Sequence, residues 1–155
     1  KETALDQSIS PIICSEPKSL GSVCWSVNGD GKIVLRTRNS GGNTFYESAV
    51  AFRSDKLGRW AHVATTYNAD AKMITHYVNG RSFSREKLID PVILPSQGNA
   101  WAFKFHIGAN GGVALNGSID EFGVFEGVYD EEQIRRIYEV GRPFEVPNAL
   151  GTRIP

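Results

Sequence analysis

The sequence has no charge imbalance, few sulfur-bearing residues and no long apolar run. Lysine plus arginine number 17, as do aspartate plus glutamate, so the formal net charge is zero. A neutral chain without a basic block cannot neutralise many phosphates, so nucleic acid is not an expected partner. The same lack removes the polybasic patch that holds proteins on anionic membranes. No apolar run approaches the roughly 20 residues that span a bilayer, so membrane insertion is not expected either. The start, Lys1-Glu2-Thr3, is not a signal peptide. The chain therefore reads as a processed piece of something longer, with other domains of a parent chain as neighbours. Internal repeats and low-complexity tracts are missing.

What is present suits one ordinary domain of 155 residues. Glycine numbers 16 and methionine 1, with aromatics at 10%, a balance that favours strands and turns. Asn-Gly pairs stand at Asn28-Gly29, Asn79-Gly80, Asn110-Gly111 and Asn116-Gly117. Each supplies the positive φ angles of tight hairpins. Short strand-like runs lie between such turns: Lys32 to Arg38, Ser48 to Phe52, Trp60 to Tyr67, Lys72 to Val78, Phe103 to Ile107 and Ile119 to Phe125.

One segment reads as helix. Asp130 and Gln133 are spaced for a capping box. Ile134, Ile137 and Tyr138 then form an apolar stripe at i, i+3, i+4. Gly141 is placed for a left-handed cap, and Pro143 prevents continuation. Many strands and one late helix point to a β-sandwich or jelly roll.

The two cysteines, Cys14 and Cys24, flank a loop-like stretch from Ser15 to Ser22. A hairpin there would bring the sulfurs within bonding distance. Two readings stand: a disulfide in an exported protein, or two buried thiols packed as small hydrophobes. Zinc is not expected, because no second ligand pair follows.

Three segments together resemble the laminin-G-like, or concanavalin A-like, jelly-roll domains. They are Gly58 to Tyr67 with Tyr77-Val78-Asn79-Gly80, then Phe105-His106-Ile107-Gly108-Ala109, then Leu115 to Phe125 running into the helix. Their order matches that family's "W-x-H-V-A", "Y-V-N-G", "I-G" and "G-x-I-D-E" pattern. The resemblance implies an all-β, two-sheet antiparallel sandwich with one short C-terminal helix, over residues 1–142. Residues 143–155 would be an extended tail or linker. The family's usual opening strands have no counterpart before Ile12, which leaves three readings: the strands are cut off here, the domain is a shortened variant, or a separate chain piece supplies them. The family setting also favours the disulfide and an exported, periplasmic or cell-surface location.

The resemblance further implies a choice between catalysis and recognition. Retaining glycosidases of related fold need two carboxyl groups about 5 Å apart, carried as Glu-x-Asp-x-Glu on one strand. No such triplet occurs, and no Gly-x-Ser-x-Gly elbow accompanies the histidines. The expectation is therefore a non-catalytic module that binds a glycan or an extracellular protein. The alternative is a structural or appended domain of a larger enzyme or envelope regulator, with no ligand of its own. Sugar contacts are expected from Trp101 and Asn99 in a polar loop, with Trp25 and Tyr46 as further aromatic plates. Trp25, Trp60 and Trp101 are also read as core residues. His76 and His106 lie mid-strand, where either could face a concave surface. His62 is read as a packing residue. In many such domains the Asp of the "I-D-E" strand helps to hold calcium, and Asp120 matches that position. If Ile119 faces inward on a strand, Asp120 faces out.

Overall fold

A computed structural model describes residues 9–16, 20–53, 58–89 and 104–141. Ten strands and one helix are found among them. Strands β1 (Ser10–Glu16), β2 (Val23–Val27), β3 (Lys32–Asn39), β4 (Gly42–Val50) and β8 (Lys104–Ile107) form an antiparallel sheet in the order β4-β3-β2-β1-β8. Strands β5 (Val63–Asn68), β6 (Met73–Val78) and β7 (Arg81–Lys87) form a second antiparallel sheet. A short hairpin pairs β9 (Ala109–Asn110) with β10 (Val113–Ala114). Helix α1 spans Glu131–Gly141. The antiparallel two-sheet sandwich with one late helix is the architecture the sequence predicts.

Turn chemistry explains the hairpins. Asn28 Oδ1 accepts from the amides of Asp30 and Lys32 at 3.1 and 3.0 Å, closing the β2–β3 loop. Between β6 and β7, Asn79 and Gly80 both take positive φ, 51° and 75°, as a two-residue primed turn requires. The two sheets meet where β4 packs on β7. Tyr46 of β4 and His76 of β6 are both fully buried, and the His76 ring lies close to the Tyr46 backbone.

The five-stranded sheet has a core of small polar side chains as well as apolar ones. Ser15, Ser22, Ser26, Thr37 and Ser48 are buried beside Ile12, Ile33 and Val34. Hydrogen bonds offset the burial of these hydroxyls. Ser15 Oγ accepts from the Val23 amide at 2.8 Å and donates to the Val23 carbonyl at 3.1 Å. Ser48 Oγ accepts from the Ile33 amide at 2.9 Å and donates to the Ala49 carbonyl at 2.6 Å. Cys14 and Cys24 stand directly opposite on β1 and β2, with Cα atoms 4.0 Å apart, and form a disulfide. The hairpin reading of the cysteines holds, and the free-thiol alternative falls.

Several expectations need correction. Ile119 to Phe125 is not a strand, because Glu121 takes a φ of +53°, which breaks the extended run. The opposed-face argument for Asp120 falls with it. Gly141 ends the helix without positive φ, so no left-handed cap forms there. Strand β7 and the polar first half of β4 were not expected at all. Trp60 is not a core residue, being 44% exposed. The capping box does form. The Gln133 amide donates to Asp130 Oδ1 at 2.8 Å, and the Asp130 amide donates to Gln133 Oε1 at 2.9 Å. The tail at 143–155 lies outside the described residues.

Candidate functional site

The outer face of the three-stranded sheet and the start of α1 enclose an open cleft of about 300 Å³. Strand periodicity decides which side chains reach it. Thr66 and Asn68 on β5, then Met73, Thr75 and Tyr77 on β6, line its floor with Arg85 of β7. Thr66 pairs with Thr75, and Thr75 with Arg85, so these three form one row across the sheet. The intervening residues Ile74 and His76 are fully buried.

The opposite wall comes from the segment leading into the helix: Val128, Tyr129, Asp130 and Glu131. The Tyr129 ring leans on Phe125, with centroids 5.4 Å apart, and Phe125 is more than half exposed. This gives the rim an aromatic character. Asp130 keeps one carboxylate oxygen occupied in the capping box. Asn68 Oδ1 accepts from the Ala71 amide at 2.8 Å, which leaves its Nδ2 as a donor. Arg85 stands on the sheet side, and two carboxylates stand on the helix side. Among the described residues no ion pair within 4.0 Å closes that gap. Glu132 instead pairs with Arg135 at 2.6 Å and Arg136 at 3.2 Å along the helix exterior.

The described residues among those singled out from the sequence do not gather here. Trp101 and Asn99 lie outside the described residues. His76 does not face a surface. It is 0% exposed, and its Nδ1 is 2.9 Å from Thr65 Oγ1. Burial pushes its imidazole down to about 4, against a smaller opposing influence of the Tyr46 backbone. Tyr46 is likewise buried and presents no plate to solvent, for it lies where the two sheets meet. His106 is exposed on β8 opposite Cys14, in the other sheet. His62 packs its ring on Tyr138 of the helix at 5.6 Å, and its amide donates to Asn79 Oδ1 at 3.0 Å.

Asp120 is exposed, and its Oδ1 accepts from the Glu121 amide at 3.0 Å. Calcium wants six to eight oxygen ligands. Among the described residues no group of three or more His, Cys, Asp or Glu converges to hold a metal. The described side chains alone therefore do not build a calcium cage at Asp120.

Sequence reasoning missed the cleft. Its lining is ordinary residue by residue, and only the pairing of β5, β6 and β7 with the helix start brings it together. The one readable signal was the alternation of Met73, Thr75 and Tyr77.

Comparison with known proteins identifies a family. No curated protein matches significantly. A crystal structure of an S-layer domain-containing protein from Clostridium thermocellum, residues 221–444, is 23% identical with a TM-score of 0.46. That match covers 89% of this chain and 65% of the other, so this chain spans less than two thirds of that one. The laminin G family model described as the concanavalin A-like lectin/glucanases superfamily matches residues 3–135. The chain belongs to that laminin G-type, concanavalin A-like lectin/glucanases superfamily.

Proposed function

We propose that this domain is a non-catalytic recognition module of an exported or cell-surface protein, and that it binds carbohydrate through the cleft beside α1. The observation that carries the reading is the make-up of that cleft. Hydroxyls, an amide, a guanidinium and two carboxylates stand around the apolar surfaces of Tyr77, Tyr129 and Met73. Ligand sites combine apolar lining with a few placed polar groups in this way, and about 300 Å³ is at the small end of their range. The disulfide supports an oxidising compartment, since such bonds persist outside the cytosol.

Catalysis has less support. The superfamily includes glucanases, but the sequence carries no Glu-x-Asp-x-Glu triplet to set two carboxyl groups on one strand face. Calcium belongs to this reading only as a structural ion that Asp120 would share with backbone carbonyls.

The test is a glycan array probed with the purified domain, followed by calorimetric titration of the best ligand. Carbohydrate binding that weakens at least tenfold in Tyr129→Ala is expected. An array without any carbohydrate hit would move the module toward protein recognition or a purely structural role.

A further inference from the structure

We infer that the cleft selects a neutral saccharide, one or two sugar units long, and rejects sulfated or otherwise polyanionic glycans. This rests on the reading of the domain as a carbohydrate module and adds the chemical class of its ligand.

Arg85 contributes one positive group to the lining, while Asp130 and Glu131 contribute two negative ones. The formal charge around the cleft is thus slightly negative, although the helix N-terminus adds a partial positive charge. A sulfated chain gains its affinity from several cations in a row, and among the described residues a single cation lines this cleft. The whole chain adds no net positive charge, because its formal net charge is zero.

The placement of the charges then favours hydroxyl groups. The cation lies on the sheet side, and the carboxylates lie on the helix side, with no ion pair between them among the described residues. A sugar hydroxyl both donates and accepts. It can donate to a carboxylate on one wall while a neighbouring hydroxyl accepts from the guanidinium on the other. Charge-assisted hydrogen bonds of this kind are about twice as strong as neutral ones. The Thr66–Thr75 pair adds two hydroxyls between the walls. A simple anion would satisfy Arg85 and be repelled by the carboxylates. A simple cation would meet the reverse. A neutral polyol satisfies both walls.

Size and apolar surface complete the assignment. A volume of about 300 Å³ admits a sugar unit or two but not a long chain. Tyr129 lines the cleft and leans on Phe125, and aromatic rings there suit the C–H side of a sugar.

The experiment titrates the intact domain with neutral oligosaccharides (cello-, xylo- and manno-oligosaccharides of two to six units) and, separately, with heparin fragments. The same titrations are run on Arg85→Ala and Glu131→Gln. Neither residue belongs to the capping box, so both variants are expected to melt near the parent temperature. The expected result has three parts. At least one neutral series binds, with an affinity that stops rising beyond two units. Each variant weakens it at least tenfold. Raising salt from 0.05 to 0.5 M changes it less than threefold. Preferred binding of heparin with a steep salt dependence would overturn the ligand class while leaving a carbohydrate module. Neutral binding untouched by both variants would overturn the cleft as the site. Absence of binding to either class would overturn this inference together with the carbohydrate reading on which it rests.

Discussion

The two sheets solve the problem of covering a face in different ways. The five-stranded sheet is tied by a cross-strand disulfide and by buried serines whose hydroxyls bond the neighbouring backbone. Such small groups fill space closely. The three-stranded sheet has no covalent tie among its described residues, and its outer face is covered in part by an eleven-residue helix. A helix is a rounded object on a twisted surface, so it covers the face incompletely. The cleft is the uncovered remainder at the helix start. On the proposed reading, stability and recognition fall in different sheets, and perturbing each should separate them.

The largest effect is expected on the rigid side. Gly31 takes a φ of +78°, and a Cβ there would fall on the Phe52 carbonyl oxygen. Its own carbonyl accepts from the amides of Ala51 and Phe52, both at 2.9 Å, so the loop cannot shift without losing them. Gly31→Ala should cost more than about 3 kcal/mol, combining left-handed strain with displaced backbone. Urea unfolding measures it. A loss below about 1 kcal/mol would mean that the five-stranded sheet yields more easily than its packing implies.

The next effect lies at the seam between the sheets. His76 titrates at about 4 when folded, below its ordinary 6.5, because it is buried. The unfolded chain therefore binds its proton first as pH falls. The stabilisation is complete above about pH 6.5 and is lost as pH drops toward 4, by roughly 3 kcal/mol in full and about 2 kcal/mol at pH 5. Glu86 opposes this. Burial raises its carboxyl, so it adds stability as pH falls. Thermal melts from pH 7 to 5 should show a net loss that flattens in His76→Gln. A flat parent profile would show that His76 stays uncharged without consequence for folding.

Reducing the disulfide sharpens the contrast. The bond joins residues ten apart. Loop closure predicts a stabilisation of about 2.7 kcal/mol. Dithiothreitol should lower the melting temperature accordingly, while saccharide affinity below the melt stays within twofold. Equal loss of both would mean that the sheets are coupled rather than divided in role. On the open side, Gly80 lets the helix approach. A Cβ there would sit 2.9 Å from Tyr138 Cδ1 and 3.1 Å from the Arg135 Cα, at a φ of +75°. Gly80→Ala should cost about 2 kcal/mol and also weaken ligand binding, because the helix start is one wall of the cleft. Unchanged binding would detach the cleft from helix position.

The same division explains what could be read from the sequence. Most of the rigid sheet announces itself through local chemistry (Cys14 and Cys24 across a loop, Asn28 before a turn, the run at Ile33 to Leu35), whereas the polar first half of β4 does not. The capping box at Asp130 and Gln133 is equally local. Strand β7, Arg-Ser-Phe-Ser-Arg-Glu-Lys, carries no such signal. Its half-buried residues are Ser82, Ser84 and Glu86, while Phe83 and Arg85 face out. Hydrophobic alternation cannot reveal a strand whose inward face is polar. Ile119 to Phe125 shows the converse, since a strand-like composition is overruled by one left-handed residue, Glu121. The cleft joins Thr66, Thr75, Arg85 and Tyr129 only through pairing across three strands and a helix.

The smallest expected effect concerns calcium at Asp120, which belongs to neither sheet. The residue lies in the irregular stretch after β10, exposed, with one oxygen engaged by the Glu121 amide. A hard cation there would depend on backbone carbonyls for most of its ligands, and a donor set with few charges binds weakly. At calcium ten times its dissociation constant, the gain is about 1.4 kcal/mol. That corresponds to a melting shift of roughly 3 °C for a chain of this size. EDTA should therefore lower the melt slightly, and Asp120→Asn should remove the difference without changing saccharide affinity. A melt indifferent to EDTA would leave Asp120 as a carboxylate that supports the left-handed turn at Glu121. A shift much larger than this would instead mean that calcium anchors the chain between β10 and the helix. The wall of the cleft would then depend on the ion as well as on the packing of α1.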